Sequence, residues 1–199
     1  MKKLLASFVF AAALMPSFAE ATMIDFNGGL DPFFTYSQVS TLGGPVATGS
    51  GYDNLLAITG PGQVAFNPRA FSPSTFTFAG AGFFDLTSFL IAGAWGTQTL
   101  TVSGLAGGAT LFSQAVAVST NPTLVSFNWS GLDQIVIQTG TDFVQNFNLG
   151  GRGQHWALDN LVVNQNTPSV PEPASMALLG LGLIGVAAAR RKSAKNKHA

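Results

Sequence analysis

Apolar and polar residues alternate in short runs through most of the chain. Thr97 to Ser103 is the clearest: Leu100 and Val102 fall on one face, with Thr99, Thr101 and Ser103 on the other. Leu124 to Trp129 repeats the pattern with Val125, Phe127 and Trp129. A period of two is the mark of a strand with one buried face. Further strands are predicted at Met23–Phe26, Phe33–Val39, Leu55–Thr59, Gln63–Phe66, Thr75–Phe78, Phe83–Ala92, Ala109–Ser119, Gln134–Gln138 and Gln154–Asn164. Turn residues punctuate them: Gly60-Pro61-Gly62, Gly104 to Gly108, Asn121-Pro122 and Gly131-Leu132-Asp133. Thr41–Asp53 and Thr139–Gly153 are Gly-rich and read as loops, and no amphipathic helix is predicted between the termini. About ten short strands at this spacing predict an all-β fold, an antiparallel β-sandwich of jelly-roll type over residues 22–165.

The pattern changes at both ends. Lys2 and Lys3 precede the apolar run Leu4 to Leu14, Pro16 ends it, and Ala19-Glu20-Ala21 offers small residues for cleavage. This predicts a signal peptide over 1–21, removed by signal peptidase to leave Thr22 first. At the other end, residues 166–170 form a polar linker to Pro171-Glu172-Pro173. Residues 174–189 then carry no charge, and Arg190-Arg191-Lys192 follow directly. A helix of about 16 residues spans about 24 Å, short of the roughly 30 Å hydrocarbon core. Local thinning and snorkelling of Arg190 and Arg191 make up the difference. The segment predicts one transmembrane helix, with the basic cluster as a cytoplasmic stop and everything before it outside.

Removing both ends alters the charge picture. The whole chain balances nine basic against nine acidic residues. Between residues 22 and 170, however, Arg69 and Arg152 are the only cations against seven aspartates, a net charge of −5. That excludes the basic footprint of a nucleic-acid binder. Cysteine is absent, so neither disulfides nor thiolate chemistry is available. His155 is the one histidine of the domain, and there is no Gly-x-Ser-x-Gly elbow, which argues against a catalytic triad. A glycosidase needs paired carboxylates, but most of the aspartates sit beside Gly, Asn or Pro as turn residues do. The domain is therefore expected to be non-enzymatic, with a polysaccharide-active enzyme as the remote alternative.

The C-terminal order of Val170-Pro171-Glu172-Pro173, the Gly-rich span Leu179 to Leu183 and Ala189-Arg190-Arg191-Lys192 resembles the PEP-CTERM sorting signal of exosortase-containing bacteria. The resemblance covers residues 171–195 and implies recognition by an exosortase, cleavage near the motif, and passage from a membrane-anchored form to the cell surface or medium. The runs Phe84 to Phe89, Ala92 to Trp95, Gln98 to Val102 and His155 to Leu161 are similar to other exported PEP-CTERM proteins and to galactose-binding-like jelly rolls of carbohydrate-binding modules. That second resemblance implies exopolysaccharide as a ligand. Sugar rings stack on exposed aromatics, which makes Trp95, Tyr52 and Arg152 the sugar-contact candidates, with Tyr36 and Arg69 behind them; Trp129 and Trp156 read as core. Asp159 lies between apolar residues in the closing strand, where a charge needs a partner. Two readings stand: a structural calcium, as such jelly rolls carry, held by Asp159 with Asp25, or a carboxylate accepting backbone N–H groups at a strand end or bulge.

Overall fold

The computed structural model describes residues 21–166 together with Gly182 and Leu183, which are helical. The predicted signal peptide up to Glu20, the motif Val170-Pro171-Glu172-Pro173, the remainder of the span 174–189 and the stop residues Arg190, Arg191 and Lys192 lie outside them. Among the described residues no helix is long and apolar enough to cross a membrane.

Residues 21–166 form two antiparallel sheets. The first contains β1 (Ala21–Ile24), β3 (Ser40–Gly43), β4 (Gln63–Phe66), β6 (Phe83–Gly93), β9 (Thr123–Leu132) and β12 (Trp156–Asn166). The second contains β2 (Phe34–Ser37), β5 (Ser74–Phe78), β7 (Gly96–Ala106), β8 (Ala109–Val118), β10 (Gln134–Thr139) and β11 (Val144–Gln145). Strand order is β3-β4-β12-β6-β9 in one and β11-β7-β10-β5-β2 in the other, with β1 beside β12 and β8 beside β7. The chain changes sheet repeatedly, as a jelly-roll-like β-sandwich does.

The core lies between the sheets and is built from the alternating positions. Leu100, Val102, Ile135 and Ile137 come from one sheet, and Phe89, Ile91, Trp156, Leu158 and Leu161 from the other. Phenylalanines fill one end, with Phe33, Phe34, Phe78 and Phe84 in edge-on or tilted contact. Such geometry suits the ring quadrupole. Trp129 is buried and stacks on Phe112 at 5.4 Å and 9°, and Trp156 is fully buried, so both tryptophans assigned to the core lie there. The β7–β8 hairpin closes through Gly107 and Gly108, whose φ values of 57° and 79° are those a two-residue turn requires. This turn is tighter than the predicted Gly104–Gly108.

Three sequence expectations fail between residues 40 and 60. Ser40–Gly43 is a strand, although it opens the segment read as a loop. Leu55–Thr59 is not a strand but part of helix α1 (Gly51–Thr59), so the sandwich is not purely β. The reason is capping. Ser50 Oγ accepts from Asp53 N at 3.2 Å, and Asp53 Oδ2 accepts from Gly49 N at 2.9 Å. The serine cap satisfies one donor that a helix start leaves open, and Asp53 ties the first turn back to the residue before the cap.

Helix α1 packs on the outer face of the first sheet through a second, smaller core: Tyr52 and Leu55 against Val64, Ala94 and Ala157. Gly51 donates its N–H to Ala94 O at 2.9 Å, and a Cβ at Gly51 would collide with the Gly93 carbonyl. Gly51→Ala should therefore lift the helix and lower stability by about 1–3 kcal/mol. Gly28→Ala, where a Cβ meets nothing within 4 Å, should stay within about 0.5 kcal/mol. Urea titration of the two variants checks the difference.

Candidate functional site

Asp159 sits on the face of β12 that α1 covers, and is only 1% exposed. The strand is irregular there: register shifts between Asp159 and Val162, and Asn160 takes φ 49°. That bulge turns Asn160 N toward Asp159 Oδ1, at 2.8 Å. The Thr59 side chain, at the end of α1, also hydrogen-bonds to the carboxyl. Burial nevertheless dominates, and the nearby Asp25 charge adds to it, so the Asp159 pKa is pushed up to about 6. Asp25 is exposed and accepts from Asn27 N at 3.2 Å and Asn27 Nδ2 at 2.9 Å.

The structure thus brings the two predicted metal ligands into electrostatic reach of each other. Among the described residues, however, no group of three His, Cys, Asp or Glu could hold a metal ion. Calcium takes 6–8 oxygens, so beyond these two carboxylates it would draw on backbone carbonyls, amide oxygens or water. The bond from Asn160 N to Asp159 Oδ1 is the contact that the bulge reading expects.

The predicted sugar contacts do not present ring faces together. Tyr52 is buried, 3% exposed, edge-on to Phe66 and Trp95 at 5.8 and 5.4 Å. Its position on α1, unseen in the sequence, puts it there, and burial raises its hydroxyl pKa. Trp95 is half-buried, with Gly151 packed so closely on the indole that a Cβ would overlap it. Arg152 and Arg69 are exposed. Tyr36 is half-buried and donates its hydroxyl to Asp31 O at 2.9 Å. His155 is half-buried, with Nδ1 2.8 Å from Asn67 O, and burial lowers its pKa.

A different surface offers a continuous set of polar groups. None of the strands of the second sheet carries a charged residue. Alternation sends Thr35, Thr75, Thr77, Thr101, Ser103 and Gln138 to its outer face. Some are already tied to one another: Gln134 Nε2 donates to Thr77 Oγ1 at 2.9 Å, and Ser103 and Ser113 hydroxyls lie 3.4 Å apart. At one end this face runs into two hollows of about 320 and 300 Å³ that share Thr97 and Ser119. Asp142 borders the first, accepting from Thr99 N at 3.0 Å and Thr99 Oγ1 at 2.6 Å, and these bonds lower its pKa. Gln145 and Asn146 border the second. Phe147 stands beside them in sequence, 86% exposed. Sequence reasoning passed over this group because threonines on a strand read as ordinary outward positions.

Residues 169–192 match the family model described as the PEP-CTERM protein-sorting motif. The chain carries a PEP-CTERM sorting signal. The match takes in Val170-Pro171-Glu172-Pro173 and ends at Lys192, so it covers the sorting and stop-transfer residues named from the sequence. Such a motif implies an exported protein processed at the membrane by an exosortase. No curated protein matches the chain. Among solved structures, one described as "CBM4 structure and function" aligns at 12% identity and a TM-score of 0.30, covering 64% of this chain and 95% of that one.

Proposed function

We propose that this is an exported, non-enzymatic surface or matrix protein. A signal peptide over residues 1–21 starts export, and signal peptidase removes it. The helix 174–189 anchors the chain in the inner membrane, and an exosortase then cleaves near Pro171-Glu172-Pro173. The β-sandwich is released to the cell surface or its surroundings. The sorting-motif match over 169–192 carries this reading. Fractionation of cells producing the full chain tests it. The sandwich is expected at the surface or in the medium, shortened at both ends. Retention in the cytoplasm contradicts export.

A second reading is favoured by one observation, the uncharged hydroxyl and amide face that continues into the hollows around Thr97, Ser119 and Gln145, where Asp142 is the one charged border residue. Neutral hydroxyl-rich polymers match such a surface, since they bring donors and acceptors but no charge. This supports exopolysaccharide as the ligand. A glycan array probed with the exported protein tests it. Neutral glycans should bind, and Thr97→Ala, at an exposed side chain, should weaken that binding without altering the thermal melt. Bound glycans should be recovered uncleaved. Shortened glycan chains would make the protein a polysaccharide-active enzyme instead.

A further inference from the structure

Arg69 and Arg152, the only cations between residues 22 and 170, come from connections far apart in sequence. The fold brings those connections together. Asn67, fully buried, is the staple: its Nδ2 donates to Phe71 O at 3.2 Å and to Gln154 O at 3.0 Å, and its Oδ1 accepts from Trp156 N at 2.9 Å. His155 Nδ1 adds a bond to Asn67 O at 2.8 Å. A Cβ at Gly153 would stand 3.6 Å from Ala70 Cβ and 3.3 Å from His155 Cδ2. Arg69-Ala70 thus packs against Arg152-Gly153 at one corner of the sandwich. Both arginines are exposed there, and among the described residues neither has a hydrogen-bond or ion-pair partner. Seven aspartates lie in the same domain, yet Asp142, on the same connection as Arg152, turns to Thr99 instead. Structural ion pairing therefore does not account for the two arginines. Arg69 and Ala70 also take left-handed backbone in succession, at φ 54° and 55°. L side chains rarely adopt it, and backbone held so is concentrated at ligand sites.

We propose that Arg69 and Arg152 form a site for the carboxylate of an acidic glycan. A planar guanidinium matches a carboxylate through two parallel N–H bonds. Charge selects among anions. The domain carries −5, so a polymer charged on every unit is repelled by the surface around the pair. A chain of mainly neutral sugars with widely spaced carboxylates meets little of that repulsion. Position favours such a polymer over a lipid surface. The corner stands at the Trp156 end of β12, whereas the chain leaves for the sorting motif from the Asn166 end. The two ends are about 30 Å apart along the strand, so the pair is remote from the point where the anchoring segment joins. This site is separate from the hollows around Thr97, and the inference does not rest on them.

The full chain in mild detergent is passed over immobilised gellan, a glycan whose repeat carries a single carboxylate, and over the same glycan with that carboxylate reduced to an alcohol. Binding to the acid form should be about tenfold tighter or more at low salt, and should weaken as sodium chloride is raised. Arg69→Gln with Arg152→Gln should bring the two forms level. Its thermal melt should match wild type, because both side chains are exposed. Arg69→Lys with Arg152→Lys keeps the charge and should restore part of the difference. Thr97→Ala should leave the difference as it is, which separates this site from the neutral hollows. Equal binding of wild type to both forms, as an arginine pair meant for another partner would give, overturns the proposal. So does a difference that survives Arg69→Gln with Arg152→Gln, which would belong to the basic residues near the two chain ends.

Discussion

Asp159→Asn should make the domain more stable at neutral pH, not less. In the folded protein the carboxyl has a pKa of about 6, against 3.8 for the exposed group. The native state therefore binds more protons than the unfolded state between those values, and stability falls as pH rises from about 4 to 6. Below the window the protonated acid fits its site, and above it a buried charge remains under α1. At about 1.4 kcal/mol per pKa unit, the cost of that charge is at most about 3 kcal/mol. Asparagine keeps the acceptor for Asn160 N and brings no charge. Denaturation of wild type and Asp159→Asn across pH 3.5–7.5 checks this prediction. The two curves should lie close near pH 4, with the variant pulling ahead through pH 6 and level above it. Calcium and EDTA should change neither melt. A wild type stabilised by calcium, with the response lost in Asp159→Asn, would favour the metal reading, with Asp25 as a second ligand.

The second large effect concerns Glu172. It is the acidic centre of Val170-Pro171-Glu172-Pro173, which lies inside the matched sorting motif. Glu172→Ala leaves the apolar run 174–189 and the cluster Arg190-Arg191-Lys192 unchanged. Insertion depends on that run and its flanking charges, so the variant should enter the membrane as wild type does. Recognition by the exosortase should be lost, and the full-length chain should accumulate in the membrane fraction. Gel mobility and carbonate extraction check this. Identical partitioning of variant and wild type would show that Glu172 plays no part in sorting.

The second half of the domain was legible because its signals agree. From Phe83 onward, alternation, turn glycines and β-branched residues all point to strands, and β6 to β10 form within one to three residues of their expected limits. Before it, Gln63–Phe66 and Thr75–Phe78 also form where expected, but the stretch from residue 40 to 60 was not legible. Leu55–Thr59 is a short apolar run, which periodicity alone cannot divide between strand and helix. The deciding signal was Ser50 three residues ahead of Asp53, an N-cap serine that accepts the Asp53 N–H. That one element sets the surroundings of both Tyr52 and Asp159. Tyr52 rides on α1 and is buried by it, so it cannot meet a sugar. Asp159 is buried because α1 covers the outer face of β12, a long-range contact that no local pattern encodes. The groove around Thr97 and Gln145 was missed for a similar reason. It joins a strand to a distant loop, and each contributes residues that are unremarkable by themselves.

Sorting by the C-terminal signal is the central claim, and the intact mass of the mature wild-type protein tests it most directly. The protein is purified from the cell surface or medium of a bacterium that has an exosortase, and both ends are read by mass spectrometry. The account predicts an N-terminus at Thr22 and a C-terminus close to Pro171-Glu172-Pro173, without Arg190, Arg191 and Lys192. A surface or secreted protein that still ends at Ala199 would contradict it.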